Sequence, residues 1–394
     1  FWAGGIRWDV KKENFMSRVD FISELVLRGS YGITGTQGFA PYQSRELYSY
    51  NNLLYPYLAS DGTGVEIVAM PNEKLKWQVT RQLNGGVEVG LFDGRLSASF
   101  DIYSKKTSNL LSQMDLPLAH GFSSYVDNGG EVKNTGYEAM ISGYLMRDTH
   151  RNIIWSMTAK LAYTKNEITK LSEAIKRQNE FYKSKNVEIN QLLYEGYAQN
   201  SIWAVPSMGI DPSTGYEIFL DKNGNITDKW NPSDKRYFGV DEPKYRGNIS
   251  TYFAWKDLSV NLSFAYQWGG QQYNETLLNK VEVTNGEIDK NNVDRRVLKK
   301  RWQYIGDVKP YKGYGSVETK ATSRFVMDDN VFQFQSASVE YRLHSDFLRD
   351  KWKVETISIG ANMSDIFYIS SIKRERGTSY PFARRLALTL SLMF

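Results

Sequence analysis

Apolar and polar residues alternate along this chain with a period of two, in segments of about 9 to 11 residues. In the last segment Leu386, Leu388, Leu390, Leu392 and Phe394 share one face, whereas the residues between them are mostly small or polar. Successive side chains of a strand point to opposite faces, so the segment predicts a strand with one apolar face. A strand of this length crosses a bilayer when it is tilted.

Two other segments repeat the pattern, and their second face is again small and polar. Their apolar faces are Leu258, Val260, Leu262, Phe264, Tyr266 and Trp268 in one segment and Trp155, Met157, Ala159, Leu161 and Tyr163 in the other. A soluble β-sandwich or propeller rich in aromatic residues would also bury such a face. No helical pattern is available to cover these strands, which favours contact with lipid.

The alternating segments predict eleven strands of a transmembrane, antiparallel, up-and-down β-barrel, an all-β fold. The segments span about residues 1–10, 23–34, 77–92, 95–106, 132–146, 152–165, 245–255, 258–269, 330–343, 352–364 and 384–394. Short connections between strands alternate with loops of roughly 40, 25, 80 and 60 residues. The short connections lie at Asp93-Gly94, Asp148 to Arg151 and Lys256-Asp257. Short turns at one rim and long extracellular loops at the other are typical of outer-membrane barrels.

Topology also predicts that part of the barrel is missing from this chain. If every short turn is periplasmic, strand eleven runs towards the periplasm and strand one begins outside the cell. Bacterial barrels have an even strand count, and unpaired strand edges in lipid are costly, so upstream strands are expected. Residues 1–9 already alternate like a strand and show no signal-peptide pattern, so the native N-terminus is expected to lie upstream.

Composition excludes several other classes of function. The chain has no cysteine and three histidines, and His120, His150 and His344 match no metal-ligand spacing. The only histidine in a predicted external loop is His120, which leaves little basis for an enzyme. A net charge of +5 on 394 residues is too dilute to indicate nucleic acid binding. We therefore expect no catalytic residues, no metal, no cofactor and no nucleic acid partner.

Several stretches, in chain order, resemble the C-terminal barrel region of SusC/RagA-like TonB-dependent transporters. They are LRGSYGITG at Leu27–Gly35, NEKLKW at Asn72–Trp77, LFDGRL at Leu91–Leu96, YSKKTSNLL at Tyr103–Leu111, NGGEVKNTGYE at Asn128–Glu138, GIDPSTGYEIFLDKNG at Gly209–Gly224, WQYIGDVKP at Trp302–Pro310 and the strand Ser323–Leu343. The departures from the family pattern are Glu73 for a proline, Gln78 for a glutamate, Asn109 for an aspartate, and Gln333 and Gln335 for basic residues.

The resemblance implies a barrel of about 22 strands, of which this chain would supply the C-terminal half. An N-terminal plug and a TonB-binding segment would lie upstream of residues 1–394. The implied partners are a SusD-like surface lipoprotein that closes over the barrel as a lid, TonB through the missing N-terminal part, and a dimer of SusC–SusD pairs. The barrel assembly machinery, outer-membrane lipid and lipopolysaccharide are further expected partners, in the outer membrane of a Gram-negative bacterium.

Aromatic residues in the long loops are candidates for substrate contact, because their rings stack on sugar faces or pack against peptide side chains. They are Tyr197, Trp203, Trp230, Tyr237, Tyr273, Tyr311 and Tyr314. Packing beneath the loops or a place in the interfacial aromatic belt is the competing interpretation. In the lumen, Asn84, Glu88 and Asp101 are expected to form hydrogen bonds across the wall, hold the plug or line the substrate path.

Three further features have specific interpretations. Oxygen side chains recur after Asp211 and Asp221, as they do in a calcium-binding EF-hand loop. Such a loop requires a glutamate at its twelfth position, but Pro232 occupies that position counted from Asp221. Turns therefore explain these stretches better than a calcium site. Residues Asn291–Trp302 predict a short helix in a long external loop, whose basic face is expected to be solvated, with lipopolysaccharide phosphates or an acidic substrate as alternative partners. Phe394 closes the last strand and resembles the signal that the barrel assembly machinery reads.

The function that the resemblance implies is energised import of oligosaccharides or peptides across the outer membrane. A passive large-pore porin is the alternative within transport, and it would lack a plug upstream. An extracellular β-rich glycan-binding protein is the alternative from another class, and it would need no detergent.

Overall fold

The computed structural model describes residues 1–39, 42–52, 63–116, 119, 121–183, 191–282, 294–315, 318–373 and 384–394. The strands are β1 Trp2–Asp9, β2 Ile22–Thr36, β3 Leu47–Asn52, β4 Thr63–Ala69, β5 Gln78–Leu91, β6 Leu96–Asp115, β7 Ser124–Asp148, β8 Ile153–Leu171, β9 Ser201–Ala204, β10 Ser207–Ile210, β11 Glu217–Leu220, β12 Ile226–Thr227, β13 Arg236–Val240, β14 Tyr245–Trp255, β15 Leu258–Tyr273, β16 Val326–Leu343, β17 Thr356–Ser370 and β18 Arg385–Met393. The α-helices are α1 Glu173–Lys183, α2 Arg296–Lys300 and α3 Asp346–Trp352.

Eleven of these strands form one antiparallel sheet in which each strand pairs with its neighbours along the chain. Its order is β1-β2-β5-β6-β7-β8-β14-β15-β16-β17-β18. The eleven predicted strands are thereby confirmed. In the described residues β1 and β18 are the two edges of the sheet, so the sheet is open. No helix in the described part of the chain is both long and apolar enough to cross a membrane.

Connections of very different length lie at the two ends of the sheet. At one end the links are residues 10–21, 92–95, 149–152, 256–257 and 344–355. At the other end, which we call the loop end, the links are residues 37–77, 116–123, 172–244, 274–325 and 371–384. The predicted asymmetry between short turns and long loops is therefore present.

Some predicted boundaries were wrong. The expected loop of roughly 25 residues after β6 is mostly strand, because β6 and β7 pair as far as Asp115 and Ser124 and leave only residues 116–123 between them. Residues 352–355 do not belong to a strand, because α3 runs to Trp352 and Lys353 ends it in the left-handed conformation. The alternating pattern does not reveal either boundary.

One face of the sheet carries a continuous row of apolar side chains, and we call it the outward face. Phe100 lies opposite Val87 and Ala139, and Ala139 lies opposite Leu161. Towards the loop end an aromatic row crosses neighbouring strands, with ring centroids 5.1 to 5.9 Å apart. It comprises Phe100, Tyr137, Tyr163, Tyr245, Trp268 and Tyr266. Many large side chains on this face are exposed, as a lipid-facing wall requires.

The opposite face, which we call the inward face, carries charged and polar groups. Arg28 on β2 lies 2.7 Å from a carboxylate oxygen of Glu88 on β5 and 2.7 Å from one of Asp101 on β6. The amide of Asn84 donates to Ser30 Oγ at 3.0 Å. These bonds cross from strand to strand, which confirms the predicted hydrogen bonding across the wall.

Candidate functional site: a folded lobe at the loop end

The two longest connections fold against each other into one unit, which we call the loop lobe. It comprises the described residues of 191–244 and 274–325, together with Tyr273 at the end of β15. A small apolar core in the lobe is formed by Tyr273, Val281, Val297, Tyr311 and Phe325, each at most 9% exposed. These residues come from the end of β15, from both parts of the second loop and from the turn before β16. Their burial gives the loops a core of their own.

A buried ionic cluster lies beside this core and joins the two loops. Arg324 Nε and Nη2 donate to Glu217 at 3.1 and 3.0 Å, and Nη2 donates to Glu282 Oε1 at 2.6 Å. Arg324 Nη1 also contacts Glu282. The Glu217 and Glu282 side chains are 2% and 0% exposed. Buried charges are stable only when they are paired and hydrogen-bonded, and this cluster meets that condition.

Hydroxyl and ammonium groups complete the cluster. Thr322 Oγ1 donates to Glu217 at 2.7 Å and Thr319 Oγ1 donates to Glu282 at 2.5 Å. Lys312 Nζ lies 3.6 Å from Glu217, with a side chain only 7% exposed. Glu217 therefore has partners both at Lys312 and in the segment before β16, whereas the hydrogen-bond donors to Glu282 lie in the segment before β16.

The environment sets the charge of these groups. Burial would raise the pKa of Glu217, but attraction to Arg324 and the hydrogen bonds that it accepts outweigh burial and hold this pKa below its usual range. Burial lowers the pKa of Lys312, and the attraction of Glu217 and Glu282 offsets this only in part. Burial also lowers the pKa of Lys235, in the first loop, to about 8. The Glu217 carboxylate thus stays ionised at neutral pH.

Three of the predicted aromatic residues meet in one cluster. Tyr197, Trp203 and Tyr237 have ring centroids 5.0 to 5.9 Å apart, and Tyr194 lies 4.5 Å from Trp203. Tyr197 and Tyr237 are 39% and 43% exposed, whereas Trp203 is only 8% exposed. The two tyrosines are therefore partly exposed and pack against a buried tryptophan.

The other four predicted residues lie elsewhere in the lobe. Tyr273 and Tyr311 belong to its apolar core, and Trp230 Nε1 donates to the Ala321 carbonyl at 3.0 Å, which ties the first loop to the second. Tyr314 is 53% exposed, and the buried Arg301 guanidinium lies 4.3 Å from its ring centroid. The seven residues therefore do not form one site.

Two loop stretches that resemble family motifs, Gly209–Gly224 and Trp302–Pro310, are in direct contact. Trp302 Nε1 donates to the Pro212 carbonyl at 2.9 Å, and its ring covers Gly215, where an added Cβ would lie 2.4 Å from the ring. Gly215 has a φ of +74°, which also favours glycine. Asp211 accepts from Ser213 and Thr214, and Asp221 accepts from Asn223 and Asn225, so turns occupy these carboxylates.

The predicted basic helix is present only in part. α2 spans Arg296–Lys300, and residues 291–293 lie outside the described residues. Its face is not wholly solvated, because Val297 is fully buried and Arg301, directly after it, is 1% exposed. His120 also lies outside the described residues. Among the described residues no group of three or more His, Asp or Glu side chains is placed to hold a metal.

Sequence reasoning missed the ionic cluster. Glu217 and Arg324 are 107 residues apart, and alternation gives no information about contacts between irregular loops. The available signals were weak: Glu217 follows the Gly215-Tyr216 turn, and Arg324 lies in the SRF stretch that resembles a family motif.

Comparison with known proteins agrees with this architecture. The family model described as TonB dependent receptor-like, beta-barrel matches residues 1–362. TonB-dependent receptor P3 of Formosa agariphila is 28% identical over 97% of this chain and 38% of its own length. TonB-dependent receptor SusC of Bacteroides thetaiotaomicron is 27% identical over 72% of this chain and 29% of its own length. The chain thus spans well under half of these relatives.

Solved structures show the same fold. The RagAB peptide importer in the closed-closed state superposes with a TM-score of 0.82 at 22% identity, over 99% of this chain and 43% of that chain. The open-open state gives a TM-score of 0.80 at 21% identity. The family match, the eleven-stranded sheet and its apolar outward face together show that this chain belongs to the TonB dependent receptor-like, beta-barrel family of outer-membrane proteins.

Proposed function

We propose that this chain is part of a transporter that imports large nutrients, oligosaccharides or peptides, across the outer membrane with energy delivered through TonB. The observation that carries the proposal is the loop lobe, a folded unit with its own core at the loop end of a lipid-facing sheet. A lobe of this kind gives a wide barrel a surface on which a large solute is captured. The resemblance to SusC and to RagAB supports a SusD-like lipoprotein as the partner that closes over the lobe.

We propose further that residues 1–394 are the C-terminal part of the barrel, and that upstream strands pair with β1 and β18. In lipid an unpaired strand edge leaves backbone groups unsatisfied at several kcal/mol each. Eleven strands with two such edges would not be stable in a membrane. The proposed complete barrel has about 22 strands around an N-terminal plug, which carries the TonB-binding segment.

Within the lobe, the exposed rings of Tyr197, Tyr237 and Tyr314 are the proposed contacts with substrate. Trp203, Trp230, Tyr273 and Tyr311 support the surface that carries them, since they pack or form hydrogen bonds beneath it. Either sugar rings or peptide side chains would fit such ring faces. The arrangement itself favours neither substrate class.

The test is uptake by a strain that lacks the chromosomal gene and carries the complete gene on a plasmid. We expect growth on the nutrient whose use was lost, and loss of that growth when TonB is also deleted. Glucose, which is small enough for general porins, is the control nutrient and should support growth in every strain. Undiminished uptake without TonB would contradict the proposal and indicate a passive pore.

A further inference from the structure

Positively charged residues form a row on the outward face of β5 to β7, near the loop end. Lys106 on β6 lies directly opposite Arg81 on β5 and opposite Lys133 on β7. Lys106 and Lys133 are each four residues from Ile102 and Tyr137, which are paired members of the outward face, so they share that face. We call Arg81, Lys106 and Lys133 the outer cation row. All three side chains are exposed.

Such a row is unfavourable without an external partner. Like charges directly opposite each other on neighbouring strands repel, because their Cβ atoms are only about 5 Å apart. Lys106 has an ion pair with Glu131 at 2.7 Å. Lys133 lies opposite Glu167, but that carboxylate is already bonded to Lys165 at 2.7 Å. Arg81 has no ion pair among the described residues, so the row keeps an excess of positive charge.

The row lies just beyond the aromatic row along the same strands. Ile102 and Tyr137 are paired at the level of the aromatic row, and four residues of strand correspond to about 13 Å, less when the strand is tilted. Aromatic belts mark the headgroup level of a membrane, and long lysine and arginine side chains can extend along the wall towards that level. The three cations therefore lie on the loop-end side of the aromatic row, which is the headgroup side in the orientation proposed above.

We propose that the outer cation row binds the phosphate groups of a glycolipid in the outer leaflet, the chemistry that lipopolysaccharide presents. The proposal rests on the outer-membrane orientation proposed above. Arg81 is suited to bidentate contact with one phosphate, and Lys106 and Lys133 supply point charges beside it. The bound phosphates remove the repulsion between the three cations, which gives the lipid a defined place against β5 to β7.

The test uses the complete transporter, purified in a mild detergent, and lipopolysaccharide as the probe. The variant is Arg81→Gln combined with Lys133→Gln. Each cation near a lipid surface contributes affinity of about fivefold, so we expect roughly 25-fold weaker binding by native mass spectrometry or by thermal shift. The charge-preserving pair Arg81→Lys and Lys133→Arg should keep most of the affinity, which separates loss of charge from misfolding.

Lys105→Gln is the matched control, because Lys105 is adjacent to Lys106 on β6 but faces inward, opposite Gln82 and Asn134. It should leave lipid binding unchanged. Dephosphorylated lipopolysaccharide should bind the unaltered protein at least as weakly as intact lipopolysaccharide binds the Gln variant, and inorganic phosphate alone should not stabilise the protein. Equal loss of binding in Lys105→Gln, or full binding by the double Gln variant, would overturn the proposal. Import that proves independent of TonB would contradict the proposed function but not this inference.

Discussion

Arg324 and Glu217 are joined by two hydrogen bonds of 3.1 and 3.0 Å across the two longest loops of the chain. Arg324 immediately precedes the buried Phe325, and Glu217 begins the short strand β11. Because Glu282 also contacts the same guanidinium, one arginine bridges two buried carboxylates, and Lys312 supplies the second positive charge. The first loop is thereby fixed to the base of β16.

Replacement of Arg324 by Ala should loosen the loop lobe. Removal of one member of a buried ion pair typically costs about 3 to 5 kcal/mol, because the remaining charges are buried without compensation. Hydrogen exchange of residues 201–220 should therefore rise by orders of magnitude, with the strands of the sheet unaffected. Arg342→Ala is the control, since its pair with Glu340 is largely exposed to solvent and its loss should leave exchange of the lobe unchanged. Unchanged exchange in Arg324→Ala would show that the cluster does not hold the lobe.

Acid should loosen the same region. The pKa of Glu217 is lower in the folded lobe than its ordinary value of 4.5, so its contribution is present above about pH 4.5 and is lost as pH falls through the folded pKa. Hydrogen exchange of the lobe, corrected for the intrinsic effect of pH, should be constant from pH 7 to pH 5 and rise below pH 4.5. Glu217→Gln should show a smaller change over the acid range. Equal acid dependence in both proteins would assign the effect to other groups.

Cysteine labelling should distinguish the two ends of the sheet. Asn223 lies in an exposed turn of the loop lobe, and Asp257 lies in the two-residue link between β14 and β15. In a cell that carries the complete transporter, we expect Asn223→Cys to react with an impermeant thiol reagent on intact cells. Asp257→Cys should react only after the outer membrane is breached. Equal labelling on intact cells would contradict the proposed orientation.

Phe394→Ser should impair assembly of the complete protein. Phe394 is 77% exposed directly after β18, and its place in the alternation puts the ring on the outward face with Leu392. Burial of one aromatic ring in lipid contributes about 2 to 3 kcal/mol, so most of the effect should come from recognition during assembly. Tyr304→Ser, at a 74% exposed loop residue, is the control. Normal surface levels of Phe394→Ser would contradict the prediction.

Truncation of Tyr197 and Tyr237, the two exposed tyrosines that pack on Trp203, should weaken capture of the nutrient. We expect Tyr197→Ala combined with Tyr237→Ala to raise the half-saturating nutrient concentration about fivefold or more, as loss of an aromatic anchor typically does. The maximal rate and surface level should change little, because neither ring belongs to the apolar core of the lobe. Trp203→Ala differs, because this ring is buried and its loss should also disturb the lobe. Unchanged uptake kinetics in the double variant would remove these residues from the substrate path.

Alternation predicted the sheet well because successive residues of a strand face lipid and lumen in turn. Apolar residues therefore recur at every second position of a strand in the barrel wall. Leu258 to Trp268 on β15 faces the apolar residues of β14 in the register that the pattern requires. The same pattern gives no information where the chain leaves the membrane. Thus β6 and β7 continue past their apolar segments, and Tyr273 is the last residue of β15 and not a loop residue.

The candidate site was harder to predict than the sheet. Tyr197, Trp203 and Tyr237 were identified by residue type alone, whereas Tyr273 and Tyr311 have the same type but fill a core. What separates the two groups is long-range packing between segments. Arg301 illustrates the limit, since it lies in a basic run typical of a solvated surface and is nevertheless 1% exposed beneath Tyr314.

The stretch of the first loop from Tyr194 to Ser207 is supported at both of its ends. Gly196 and Tyr197 exchange backbone hydrogen bonds of 2.8 Å with Ile168 of β8, and Val205 bonds to Ala321 and Ser323 beside β16 at 3.3 and 3.0 Å. This stretch is thus anchored to the sheet at both of its ends and is not a flap attached at one end. While both sets of hydrogen bonds remain, the stretch cannot turn about either end, and if one set breaks the other still holds it to the sheet.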